Sequence, residues 1–201
     1  MTCRTCSASS DRNWSPLHMT GPTVFGIALG SNLGDRRRHL QQAVQVLLSR
    51  IPAARLTAAA SLYETEPVDC PTGTQSFLNT VIELSAAMTP AELHEHLLAV
   101  ESLAGRPLIR DRNAPRTLDL DLLYAGSYQT SDPILTIPHP RLHLRRFVLQ
   151  PLAEIRPSLC LPGMQGSVSH LLSALPEEAA CIRLSGAWCP PHLTVSEASR
   201  R

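Results

Sequence analysis

Leucine and aspartate alternate from Leu118 to Leu122, and no other stretch of the 201-residue chain restricts its fold as tightly. Period-two alternation is the pattern of a strand, whose successive side chains point to opposite faces. Asp119, Asp121 and Leu123 then share one face, and Leu118, Leu120 and Leu122 share the other. At about 3.3 Å per residue the two carboxylates stand roughly 6–7 Å apart along the strand. They repel by about 2–3 kcal/mol at an effective dielectric near 20, so a positive group belongs beside them. Arg116 is one candidate. A divalent cation is the other, and Mg²⁺ favours a few carboxylates completed by substrate phosphates. An Asp-x-Asp strand is commonly no more than a solvated face paired with nearby Arg or Lys. Here, however, Arg106, Arg110, Arg112 and Arg116 lie within eleven residues leading into the strand. Forked guanidinium donors on one side and carboxylates on the other make a phosphate clamp next to a cation site. The expectation is a Mg²⁺–polyphosphate site.

The rest of the chain supplies elements in a definite order. Val24–Leu29 reads as a strand ending in the turn Gly30-Ser31-Asn32-Leu33-Gly34-Asp35, with Asp35 as the N-cap of a helix running to about Arg50. That glycine turn lacks the lysine of a P-loop and the full dinucleotide fingerprint, so on its own it reads as a tight structural turn. Arg55–Thr65 reads as a second strand, 66–76 as a long loop, and Phe77–Ser85 as a third strand. In that strand Leu78, Thr80, Ile82 and Leu84 form the expected core face, opposite Phe77, Asn79, Val81 and Glu83. Thr89-Pro90-Ala91-Glu92 opens a helix with a capping box. Its buried stripe is read as Leu93, Leu97, Val100 and Leu103 (or Leu98), and Gly105 ends it. The carboxylate strand follows. Then come a proline-rich loop over 127–140, a helix from Leu144 to Ile155 interrupted by Pro151, and a short helix over 168–175. The order β-α-β-β-α-β is that of a ferredoxin-like α+β core, an antiparallel sheet flanked by helices in three layers.

Composition excludes several classes. A net charge near +1 gives no broad nucleic-acid or membrane footprint, and eight aromatic residues make no stacking platform for single strands. No apolar run approaches the roughly 20 residues of a membrane span, and the N-terminus has no signal-like apolar segment. Residues 1–22, polar and without apolar period, are expected to be a disordered extension, 23–185 the catalytic domain and 186–201 a polar tail. Cys3-x-x-Cys6 has no second pair to complete a zinc site. A cytoplasmic monomer with reduced thiols is expected.

Several motifs then coincide. Gly30-Ser31-Asn32-Leu33, Tyr63-Glu64-Thr65, Phe77-Leu78-Asn79, Pro115-Arg116-Thr117-Leu118-Asp119-Leu120-Asp121-Leu122, Pro138-His139-Pro140-Arg141 and Arg145-Arg146-Phe147-Val148-Leu149 follow one another in order. In these the chain resembles the 6-hydroxymethyl-7,8-dihydropterin pyrophosphokinase family of folate biosynthesis, from about Val24 to Leu175. The resemblance implies transfer of pyrophosphate from ATP to the hydroxymethyl group of a reduced pterin, giving AMP. It implies two Mg²⁺ ions on Asp119 and Asp121, with Arg106 and Arg116 as catalytic basic residues of a phosphate loop. Glu101, Arg110, Arg112, Thr136, His139 and Arg145 would line the ATP site. Thr65, Pro67, Val68, Phe77, Asn79 and Phe147 would hold the pterin, the two phenylalanines sandwiching its ring. The chain departs from the family pattern at Leu108, where a second arginine is common, and at Asn113-Ala114, where a Trp-Gly often stands. Two other readings share some of these residues. One is a different Mg²⁺-dependent nucleotidyl or glycosyl transferase, and the other is a ferredoxin-like ligand-binding module without catalysis.

Overall fold

The computed structural model describes residues 21–67, 73–105, 116–176 and 181–189. Its frame is a sheet built around Thr23–Ser31 (β1), which is antiparallel to Phe77–Ala86 (β4) on one side and to Asp119–Ala125 (β5) on the other. Arg55–Ala59 (β2) and Tyr63–Thr65 (β3) both pair with β4, and Cys181–Arg183 (β8) extends the sheet beyond β3. The helices Arg36–Arg50 (α1) and Pro90–Leu103 (α2) cover one face. On the other face lie Arg146–Ile155 (α3) and Val168–Ser173 (α4). The strands Thr130–Ser131 (β6) and Thr136–Ile137 (β7) form a separate hairpin beside β5. The three-layer ferredoxin-like expectation holds, and two cores follow from it. Phe25, Ile27 and Leu29 of β1 pack with Leu40, Val44 and Leu47 of α1 and Leu93 and Leu97 of α2. Val81 and Leu123 pack with Val148, Leu149 and Leu152 of α3 on the other side.

Local signals set the helix starts as read. The Asp35 side chain accepts from the Arg38 N–H, and Thr89 and Glu92 close a reciprocal capping box. Elsewhere tertiary packing overrides the pattern. The expected strand Arg55–Thr65 is broken at Ala60–Leu62 into β2 and β3, with a bulge between Leu56 and Ala58. The expected α2 stripe fails at its end. Leu103 and Leu98 are exposed, and the seam toward β5 is filled by Glu101, which lies four residues beyond Leu97 and is buried. Both faces of β4 are buried, not one, because α3 covers the Val81 and Glu83 side. The 127–140 stretch contains the β6–β7 hairpin, and Leu144 ends a 3-10 turn ahead of α3. The reading of 186–201 as a polar tail does not hold for its first residues. Trp188 and Cys189 are buried, and the Trp188 indole N–H donates to Ala60 O at 2.7 Å. No helix among the described residues is long and apolar enough to cross a membrane.

Two bulge and edge features bear on stability. The β1–β5 register shifts between Gly26 and Ile27, so Leu123 and Tyr124 both turn toward α3. The Tyr124 ring lies directly over Gly26, where a Cβ would meet it at 2.1 Å. At the other edge, β8 is held by a cluster in which Tyr63 OH donates to Glu154 Oε2 at 2.9 Å and Arg183 donates to Glu154 Oε1 at 2.9 Å. Burial, and then the Glu154 carboxylate, push the Tyr63 phenol up from 10.0 to about 12. The folded state therefore keeps this proton where the unfolded chain loses it. The stabilisation is complete below pH 10 and is lost as the pH rises toward about 12. Tyr63→Phe is expected to flatten the fall of unfolding free energy between pH 9.5 and 11.5, measured by urea titration beside the parent. An identical slope in both proteins would contradict the assignment.

Candidate active site

The Cα register places Asn79 of β4, Gly30 of β1 and Asp119 of β5 in one row across three adjacent strands. The next row along is Val81, Ala28 and Asp121. Because side chains two apart share a face, Phe77, Asn79, Asp119 and Asp121 all project on the α3 side of the sheet. Val81 packs against α3, while Phe77, Asp119 and Asp121 are partly exposed at this end. Gly30 contributes no side chain there. A Cβ at Gly30 would stand 2.8 Å from Asn79 Oδ1 and 3.9 Å from Asp119 Cβ. The glycine that reads as a plain turn residue is thus the floor between an amide and a carboxylate.

Each half of the row is braced. Asn79 is buried, and its Nδ2 donates to Thr65 Oγ1 at 2.7 Å, leaving Oδ1 over Gly30. Thr65 pairs with Phe77, and Phe77 is half-buried at the start of β4. On the acidic side Arg116 Nη1 reaches Asp119 Oδ2 at 2.7 Å and Arg145 Nη1 reaches Asp121 Oδ2 at 3.2 Å. The Arg145 guanidinium also lies 5.5 Å from the centre of the Phe147 ring, within cation–π range. Phe147 is half-buried on the α3 side, next to the Arg145–Asp121 pair.

The other expected residues divide. Glu101 is 1% exposed and accepts the Leu120 N–H at 2.7 Å, which places its carboxylate behind β5, between the two aspartates. Its role in this structure is to hold the strand that presents them. His139 is anchored by its backbone N–H to Leu123 O at 2.8 Å, and its Nδ1 accepts from the Arg141 N–H at 3.2 Å. Burial holds its imidazole below the ordinary range, against the pull of Asp121. A neutral ring with its proton on Nε2 follows. The Thr136 hydroxyl donates to Asp132 O in the β6–β7 hairpin and serves that turn. Pro67 is half-buried in the loop after β3. Arg106, Arg110, Arg112 and Val68 lie outside the described residues, as do Leu108 and Asn113.

One participant was not singled out from sequence. Asn32 is fully buried, and it clamps Arg116 at two points. Its Oδ1 accepts the Arg116 N–H at 2.7 Å and its own N–H donates to Arg116 O at 3.2 Å. The pairing spans more than eighty residues, so no local pattern announces it.

The donor set suits a hard cation. Among the described residues no group of three or more His, Cys, Asp or Glu side chains converges into a complete cage. Two same-face carboxylates with arginines alongside instead match a Mg²⁺ site finished by phosphate oxygens and water.

Comparison with known proteins shows the family and the fold. The family model described as 7,8-dihydro-6-hydroxymethylpterin-pyrophosphokinase (HPPK) matches residues 26–157. A 2-amino-4-hydroxy-6-hydroxymethyldihydropteridine pyrophosphokinase of Pseudomonas aeruginosa is 40% identical over 162 residues, covering 80% of this chain and 96% of that one. The Bacillus subtilis protein of the same name is 44% identical over 129 residues, covering 64% of this chain and 75% of that one. Among solved structures, the wild-type Plasmodium falciparum HPPK-DHPS with SDX-DHP superposes with a TM-score of 0.59 at 12% identity, covering 76% of this chain. This chain spans 44% of that longer protein, and at such identity the likeness speaks for the fold alone.

Proposed function

The chain belongs to the 7,8-dihydro-6-hydroxymethylpterin-pyrophosphokinase family, and we propose that it works at the opening where Asn79, Gly30 and Asp119 stand in one row. Its reaction is the transfer of pyrophosphate from ATP to the hydroxymethyl group of 6-hydroxymethyl-7,8-dihydropterin, in folate biosynthesis. The alcohol oxygen forms a bond to the β-phosphorus, the bridge to the α-phosphate breaks, AMP leaves and the hydroxyl proton passes to solvent. The observation that carries the site reading is the three-strand row, which sets an amide for the pterin edge two strands from a carboxylate for the metal–phosphate end.

In this reading Asn79 hydrogen-bonds the pterin edge, with Thr65 fixing the amide and Thr65, Pro67 and Val68 lining the approach. Phe77 and Phe147 flank the ring. Asp119 and Asp121 would hold two Mg²⁺ ions, which would supply charge neutralisation and a template for attack on the triphosphate. Arg116 and Arg145 are released from the carboxylates to grip non-bridging oxygens, joined by Arg106, Arg110 and Arg112. His139 offers its Nε2–H, and Thr136 completes the nucleotide side. Glu101, which holds the Leu120 N–H, lies on the nucleotide side.

The test is product analysis. Protein, ATP, Mg²⁺ and 6-hydroxymethyl-7,8-dihydropterin are mixed and the nucleotides resolved by chromatography. AMP formed only with pterin present is the expected result. ADP in its place would contradict pyrophosphoryl transfer. A second measurement probes the row itself. Gly30→Ala inserts a Cβ 2.8 Å from Asn79 Oδ1, and Asn79 is tied to Thr65, so the amide must turn. The pterin dissociation constant is expected to rise about tenfold or more, the equivalent of one misaligned buried hydrogen bond. Affinity for a non-hydrolysable ATP analogue should stay near the parent value. Parent-like pterin binding would show that Gly30 is not the floor of the site.

A further inference from the structure

Three consecutive arginines, Arg36–Arg38, open α1, and its first turn carries no acidic residue. A helix N-terminus is partially positive, so this placement is unfavourable unless the side chains are engaged elsewhere. Arg36 is. Its Nη1 reaches Glu64 Oε1 at 2.9 Å, Ser76 O at 2.8 Å and Ser76 Oγ at 2.8 Å. The Ser76 hydroxyl in turn donates to Glu64 Oε1 at 2.7 Å. These hydrogen bonds hold the Glu64 carboxyl below its ordinary range, the Ser76 bond first. One guanidinium nitrogen thus joins the start of α1, strand β3 and the residue just before β4.

What these three residues flank gives the cluster a purpose. Glu64 precedes Thr65 and Ser76 precedes Phe77, and Thr65 and Phe77 face each other in the β3–β4 register. Thr65 also fixes the Asn79 amide. Adjacent side chains on a strand point to opposite faces, so Glu64 turns away from the face that carries Thr65. It cannot touch a ligand over Asn79, but it sets the frame from behind. Upstream, Arg36 follows the turn that contains Gly30 and Asn32, and Asn32 clamps Arg116. We infer that Arg36, Glu64 and Ser76 are positioning residues for the pterin: their tie fixes Thr65 and Phe77, at both ends of the 66–76 connection, relative to the turn that supports the phosphate side. This inference rests on the pterin site proposed above.

The prediction separates positioning from mere stability. Glu64→Ala is expected to raise the KM for pterin about tenfold while kcat and the KM for ATP stay at parent values. Glu64→Gln keeps an acceptor for both donors and should recover most of the loss. Arg36→Leu should act like Glu64→Ala, and the double variant should be no worse than either single one, because both remove the same tie. Arg36→Leu also serves as the readout should Glu64→Ala fold poorly. Asn79→Ala is measured alongside. If it weakens pterin binding while the Arg36 and Glu64 variants lower only the melting temperature, the tie is structural and the inference falls. If Asn79→Ala leaves pterin binding unchanged, the pterin site reading falls and takes the inference with it.

Discussion

Replacing Asp119 with asparagine is expected to lower kcat by about 10³-fold, which corresponds to roughly 4 kcal/mol of lost transition-state stabilisation. The substitution is nearly isosteric and keeps an oxygen for Arg116. What disappears, in the proposed site, is the charge that would hold a cation against the triphosphate. Asp121→Asn should act in the same direction, and in both variants the Mg²⁺ concentration needed for half-maximal rate should rise. Stability should move the other way or not at all. The two carboxylates repel by about 2–3 kcal/mol at their spacing of roughly 6–7 Å, and each now draws an arginine that offsets this. Neutralising one relieves part of the repulsion, as is common where a site is built for function over stability. The measurements are steady-state kinetics across a Mg²⁺ titration and thermal unfolding of the same samples. A parent-like kcat in Asp119→Asn would remove the carboxylate pair from the catalytic account.

The second large effect is on the fold. Glu83 has a side chain only 2% exposed, on the α3 face of β4. It accepts from Tyr124 OH at 2.6 Å and from Arg156 Nε and Nη2 at 2.9 and 2.7 Å. Burial and the neighbouring Glu83 charge push the Tyr124 phenol far above its usual range, so it stays a donor. Glu83→Ala removes these bonds, leaves the buried Tyr124 hydroxyl without its acceptor and opens a void beside the ring that covers Gly26. The half-exposed Arg156 can turn to water, which limits the cost. A loss of about 3 kcal/mol is expected, seen as a fall in melting temperature of roughly 6–12 °C for a chain of this size. Glu83→Gln, which keeps an acceptor for Tyr124, should lose about a third of that. A melting temperature within about 2 °C of the parent for Glu83→Ala would show that the cluster contributes little.

The sequence announces what is local. Alternation in Leu118–Leu122, the Asp35 cap and the Thr89 capping box each depend on neighbours within a few residues, and the structure has them where they were read. Phe77, Asn79, Asp119 and Asp121 fall on one side of the sheet because strand parity is itself local. Failures come where partners are distant. Trp188 is buried against Ala60, more than a hundred residues away, so a polar run gave no hint of it. Asn32 and Arg116, and Arg36 with Glu64, are likewise joined only by the sheet topology. The hydrogen bond from the Leu120 N–H to the buried Glu101 carboxylate is another such tie. A helix pattern that expects leucine at a seam cannot foresee a charged residue paired with a strand backbone.

The position of β1 also governs how the molecule opens. Phe25, Ile27 and Leu29 are fully enclosed, and the strand is hydrogen-bonded on both edges. Such a segment is expected to belong to the last cooperative unit to open, with amides that exchange with deuterium only when the whole chain unfolds. Gly30 continues that strand, so the proposed floor between pterin and metal is expected to share its protection. Melting confined to the β8 edge is therefore expected to leave β1 protected, which hydrogen exchange at rising denaturant concentration would show.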